Sequence, residues 1–251
     1  MSESRIFRLT VAYDGTAFHG WQRQPGLRTV QGELEAALSQ VLDGDVKVNG
    51  AGRTDTGVHA RGQVASFEWD TPLPGPALAP LSNRLLPADV RVVASAEAPA
   101  GFHARHSARA RRYEYRLLTR PDLLRERFAW APSELPAREA LAAATAPLHG
   151  RHDFTAFQAA GNDAAVPECE VVQVRWRDTE DGVALDVTAD HFLYHMVRKV
   201  VGTALEACAT SDPGAYVAAV LGSRDRARVG RMAPPRGLSL ERVYYDGEVV
   251  P

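Results

Sequence analysis

The chain has 251 residues, 45% hydrophobic and 24% charged, with a net charge of -2, enough for one large or two small domains with their own cores. No apolar run approaches the roughly 18 residues a membrane helix needs, and residues 1–10 hold no apolar signal core, so a cytoplasmic chain without a membrane partner is expected. Cys169 and Cys208 stand far apart, which rules out a disulfide framework or a zinc knuckle and leaves two free thiols.

Phe7, Leu9, Val11 and Tyr13 alternate with Arg8, Thr10 and Ala12, the pattern of a half-buried strand, here ended by Asp14-Gly15. Thr29 then caps a helix whose apolar face is Val30, Leu34, Ala37, Leu38 and Val41, with Asp43-Gly44 as its stop. Residues 46–48 and 62–69 read as strands on either side of the polar loop Gly52-Arg53-Thr54-Asp55-Thr56-Gly57. A Pro-rich connection over 71–80 leads to a short helix reaching Leu86 and a strand over 90–94.

Beyond it, Tyr113, Tyr115 and Leu117 form one face of a strand, with Glu114 and Arg116 on the other. An alanine-rich helix over 137–146 follows. Residues 170–176 and 183–189 read as a hairpin turning at Glu180-Asp181-Gly182. The spacing then predicts a helix over 191–209 capped by Asp190, and a last strand over 238–245. Two α+β halves of similar content, 1–104 and 105–251, are expected, with a cleft between them.

Charge is segregated along the chain. Eight arginines from Arg105 to Arg127 face Glu114, Asp122 and Glu126, leaving +5; five from Arg224 to Arg236 face Asp225 alone, leaving +4. Arginine replaces lysine almost everywhere, with only Lys47 and Lys199 present. Guanidinium groups suit bidentate phosphate contact and stacking on bases, so these segments read as a basic groove or as a solvated charged face.

Asp55, between two threonines and before glycine, is on local grounds a turn residue or a cap. The expected helix from His191 bears on it. Its apolar residues cover a wide arc, and one polar stripe remains at His191, His195, Arg198 and Gly202. An arginine inside a buried helix needs a counter-charge, and Asp55 is the candidate, either as an oriented carboxylate in a cleft or in a salt bridge that merely holds the two halves together. His191 and His195 also have the spacing of a zinc-protease helix, but Phe192 stands where that motif needs glutamate. No P-loop, Rossmann glycine fingerprint or nucleophile elbow is present, so neither a metal nor a cofactor is expected.

Several motifs occur in order: Tyr13-Asp14-Gly15, Phe18-His19-Gly20-Trp21-Gln22, Gly52-Arg53-Thr54-Asp55-Thr56-Gly57, Phe102-His103-Ala104-Arg105, Arg112-Tyr113-Glu114-Tyr115, His152-Asp153-Phe154, Phe192-Leu193-Tyr194-His195-Met196-Val197-Arg198 and Gly237-Leu238. Together they resemble TruA-type tRNA pseudouridine synthases over nearly the whole chain. Thr56 departs from the family's usual alanine. The resemblance implies an α+β fold of two ferredoxin-like halves with sheets side by side and a central catalytic cleft. It makes Asp55 the essential carboxylate, Tyr113 the ring that stacks on the target uracil, and Arg198 the partner of the aspartate. Leu238 becomes an apolar wall residue, and Arg53 an aid in opening the RNA stem or holding its backbone.

The implied reaction turns uridine into pseudouridine in the anticodon stem-loop of tRNA, at positions 38, 39 and 40. It gains and loses no atom, so it needs no cofactor. The implied partners are tRNA and a second copy of the chain. Asp55 could act as nucleophile or open an elimination by taking a proton, and Tyr113 could take the C5 proton directly or through water. Two rivals stand beside this reading: an RNA-binding protein of the same fold without catalysis, and a metal hydrolase built on His191 and His195.

Overall fold

Strand β1 (Arg5–Tyr13) buries Phe7, Leu9, Val11 and Tyr13 and leaves the residues between them half-buried, as period-two alternation requires. The structure is a computed structural model that describes residues 4–160 and 166–250. The chain divides into two compact units, Met1–Arg109 with Leu240–Glu248, and Ala110–Ser239 with Val249–Pro251. Both combine antiparallel strands with helices, so the class is α+β.

In the first unit β1 pairs antiparallel with β3 (His59–Trp69) and with β4 (Val90–Ala98). The strand order is β4-β1-β3-β9, where β9 (Leu238–Tyr244) lies in this unit from Leu240 onward. Helix α1 (Val30–Leu42) starts where Thr29 Oγ1 accepts the Gly32 amide and stops at Asp43, whose left-handed φ of 52° ends the spiral. Helix α2 (Leu78–Ser82) packs on α1 and β4. Val30, Leu34 and Leu38 are fully buried, and the Phe7 and Phe67 rings stack at 5.4 Å. Each such side chain contributes about 1.5–3 kcal/mol on burial.

In the second unit the strand order is β5-β8-β7-β6, built from β5 (Ala110–Leu118), β6 (Gly150–Asp153), β7 (Glu168–Thr179) and β8 (Gly182–Ala189). The β7–β8 hairpin turns at Glu180-Asp181, with Thr179 opposite Gly182. Helices α3 (Arg138–Thr145), α4 (Met196–Ala207) and α5 (Pro213–Ser223) pack on one another, and α3 also packs on β7. Glu114, expected on the polar face of β5, is buried there as a carboxylate between the guanidinium groups of Arg116 and Arg177. An unpaired carboxylate would be too costly at that site.

Several boundaries differ from expectation. Residues 46–48 form no ladder, because the Val46 amide is taken by Ser39 Oγ at 3.0 Å and the Val48 amide by Glu35 Oε1 at 3.1 Å. The pairing falls instead at β2 (Asn49–Gly50), against β3. The helix expected from His191 begins at Met196. Asp190 does not cap it: its Oδ1 accepts the Glu170 amide at 3.0 Å and the His191 amide at 2.7 Å, closing the end of the sheet. His191 and His195 are therefore not two residues of one helix face, and the zinc-helix geometry is absent. Helix α5 lies outside the elements expected from hydrophobic spacing, although Asp212, whose carboxylate accepts the Ala215 amide, and Pro213 at the first turn are the usual start signals.

Candidate active site

Residues 52–57 form a loop of the first unit that is pinned by two buried polar side chains. Between Val11, opposite Gln63, and Tyr13, opposite Ala60, β3 supplies one extra residue. Irregularities of this kind re-aim side chains. Here Tyr13 reaches the loop, its hydroxyl 2.8 Å from Thr54 Oγ1. Gln63 is fully buried and donates from Nε2 to the Gly52 carbonyl at 2.8 Å. Burial pushes the Tyr13 phenol well above its ordinary value, against the weaker pull of the Thr54 and Gln63 side chains. The phenol therefore stays protonated.

Main-chain bonds complete the frame. The Trp21 amide donates to the Thr54 carbonyl at 3.1 Å, the Gly57 amide to the Phe18 carbonyl at 3.3 Å, and the Val58 amide to the Asp55 carbonyl at 3.1 Å. Gly20, at φ 81°, passes so close that a Cβ there would stand 2.6 Å from the Thr54 carbonyl oxygen. Only glycine fits that conformation and that approach. Asp55 is thus a turn residue in its backbone, as local reading suggests, while its side chain is only half-buried. Arg53 is exposed between two anchored neighbours, Gly52 and Thr54. The loop is held before any substrate arrives, which is what precise placement of a reacting group demands.

The other expected residues belong to the second unit. Arg198, on α4, is 7% exposed; its Nε donates to the Ala233 carbonyl at 2.9 Å, and the Ala233 amide returns a bond to the Arg198 carbonyl at 3.1 Å. One turn on, a Cβ at Gly202 would stand 1.8 Å from the Arg231 carbonyl oxygen. The Tyr115 hydroxyl donates to the Pro234 carbonyl at 2.8 Å. Burial pushes that phenol far up, and the positive charges of Arg198 and Arg236 oppose the rise. These contacts strap residues 231–234 to α4 and β5, and the same strap leads to Leu238, which is buried. Tyr113, two residues before Tyr115, is also buried and meets Phe192 edge-on, ring centroids 5.1 Å apart at 85°. The apolar cavity beside it, lined by Phe154, Val187, Phe192 and Val197 among others, measures about 10 Å³, room for no more than a water. It is not a base pocket.

The chain matches the family described as tRNA pseudouridine synthase over residues 9–107 and 144–246. It belongs to that family. Among curated relatives, a tRNA pseudouridine synthase A of Myxococcus xanthus is 42% identical over 247 residues, covering 96% of this chain and 92% of the relative. One of Moorella thermoacetica is 40% identical over 242 residues, covering 95% and 98%. One of Ruminiclostridium cellulolyticum is 38% identical over 245 residues, covering 96% and 100%. The family match spans Arg53, Asp55, Arg198 and Leu238, whereas Tyr113 falls between the two matched stretches.

Seen from the family, the motif from Tyr13 to Trp21 is the frame that carries the Asp55 loop: Tyr13, Phe18, Gly20 and Trp21 each hold or make room for it. The roles of Gln63 and Tyr115 lie beyond the expectations drawn from the sequence. The available signal for Gln63 is an amide side chain in a run of small and apolar strand residues, Gln63-Val64-Ala65-Ser66-Phe67. Nothing short of the tertiary fold signals the bond from Tyr115 to Pro234.

Proposed function

We propose that this chain isomerises uridine to pseudouridine in the anticodon stem-loop of tRNA, at positions 38, 39 and 40, with Asp55 as the catalytic carboxylate. The target nucleotide is extruded from the stack, its C1′ to N1 bond breaks, the freed uracil turns, and a C1′ to C5 bond forms. The proton leaves C5 and one is gained at N1, so atoms balance without a cofactor. Asp55 acts as nucleophile at the sugar or as the base that opens an elimination. Tyr113 is the ring that stacks on the uracil, Leu238 lines the pocket, Arg198 supplies the cationic partner that keeps the aspartate ionised, and Arg53 holds the displaced RNA backbone.

In this reading the two units are the two ferredoxin-like halves of the family fold, the active cleft lies between them, and the enzyme works in the cytoplasm as a homodimer. The observation that carries the proposal is the anchored loop. Gly52 and Thr54 are both bound from beneath by buried side chains, while Arg53 is exposed and the Asp55 side chain is only half-buried. Pseudouridine mapping of tRNA from cells lacking this chain tests it. Loss of the modification at positions 38–40, restored by the wild-type chain and not by Asp55→Asn, is the expected result. An unchanged map refutes the assignment of substrate.

A further inference from the structure

Tyr194 and His195 have no part in the chemistry described above, yet they are arranged at a cost. We infer that they form a stacking platform for an unpaired nucleobase of the bound RNA; the inference rests on the proposal that RNA is the substrate. Tyr194 is 41% exposed, and its ring lies on the His195 imidazole with centroids 3.7 Å apart and planes 28° from parallel. Tyr113, Tyr115, Phe154, Phe157 and Trp176 of the same unit are buried, and Phe128 is exposed like Tyr194. His195 holds a φ of 62°, a backbone well that non-glycine residues occupy only when their surroundings impose it.

The surroundings do impose it. The Ala159 amide donates to the Tyr194 carbonyl at 3.0 Å, and the Lys199 amide to the His195 carbonyl at 3.1 Å. Neighbouring Gln158 binds two cations: its carbonyl accepts from Lys199 Nζ at 2.9 Å, and its Oε1 accepts from Arg226 Nη2 at 3.0 Å. A flat, backed aromatic plate, with the Tyr194 carbonyl tied to Ala159 and so to the cation-bearing Gln158, is the combination that single-stranded nucleic acid uses. The ring takes a base face and the cations favour the phosphate. An apolar peptide would want a groove of several side chains, whereas a base needs one plane.

A tRNA stem-loop carrying 2-aminopurine at each unpaired loop position in turn reads the stack directly. With the wild-type chain, fluorescence at one position is expected to fall on binding. Tyr194→Phe, which keeps the plane, is expected to retain both the quench and an affinity within about twofold. Tyr194→Leu is expected to lose the quench and bind about tenfold more weakly. Unchanged quenching and affinity in Tyr194→Leu would overturn the platform, as would a Phe variant as weak as the Leu variant. A wild-type chain that shows the Tyr194-dependent quench but forms no pseudouridine would support the platform and defeat the catalytic proposal. RNA that does not bind the wild-type chain at all would defeat both.

Discussion

Tyr13 is the residue whose chemistry differs most from its place in the sequence. It looks like the last apolar position of a strand, but its hydroxyl holds Thr54 while buried Gln63 holds Gly52, so both neighbours of Arg53 are clamped. Tyr13→Phe keeps the ring and removes the bond to Thr54. A neutral buried hydrogen bond is worth about 1 kcal/mol, so urea denaturation should show a loss of that size. Turnover should fall several-fold with KM little changed, because the loop is misplaced rather than the RNA unbound. Equal stability and equal turnover would remove the clamp from the account.

Asp89 offers a second test at this scale. Arg28 grips its carboxylate with two bonds, 2.8 and 2.9 Å, while lying over the Phe18 ring at 4.1 Å, and Phe18 in turn accepts the Gly57 amide. The Arg28 guanidinium holds the Asp89 carboxyl below its ordinary value. A depressed carboxylate contributes stability that is whole above its unfolded pKa, about 3.9, and is lost as pH falls through the lower folded value. Asp89→Asn should therefore cost about 1 kcal/mol at neutral pH, the pair being partly exposed. The gap to wild type should close below about pH 4 in denaturation curves. A gap that persisted unchanged at acid pH would mean the charge is not the source.

At the scale of elements, α4 determines where Arg198 lies. Its first residue is Met196, not His191, because Asp190 is consumed by the sheet end and His195 turns through a left-handed conformation. Hydrophobic spacing alone continues smoothly across this break, so the sequence pattern overran it by five residues. Residues 46–48 misled for a related reason: their amides bind Ser39 and Glu35 of α1, which strand propensity does not encode. By contrast β1, α1 and the β7–β8 hairpin were legible, since alternation, a threonine cap and a short polar turn each act locally. Gly202→Ala tests the packing of α4. The new methyl would meet the Arg231 carbonyl, a backbone atom, at 1.8 Å, so the strap must move. Overpacking of this kind should cost about 2 kcal/mol or more and lower activity with it, as read by thermal melting and turnover. A fully stable, fully active variant would show that the strap is not needed to hold Arg198.

At the scale of the whole molecule, several of the family's motifs, from Tyr13 to Trp21 and around Tyr115 and Arg198, are the residues that hold the Asp55 loop and the 231–234 strap. Composition said little: a net charge of -2 hides arginine segments of +5 and +4. What the sequence could not supply was the set of long-range bonds, Tyr13 to Thr54, Gln63 to Gly52 and Tyr115 to Pro234, that turn those motifs into geometry. The decisive measurement uses purified chain and an anticodon stem-loop, following RNA binding and pseudouridine formation in wild type and Asp55→Asn. The variant is expected to bind the RNA with near wild-type affinity and to form no pseudouridine over many wild-type turnovers. Pseudouridine formed by Asp55→Asn at the wild-type rate would contradict it.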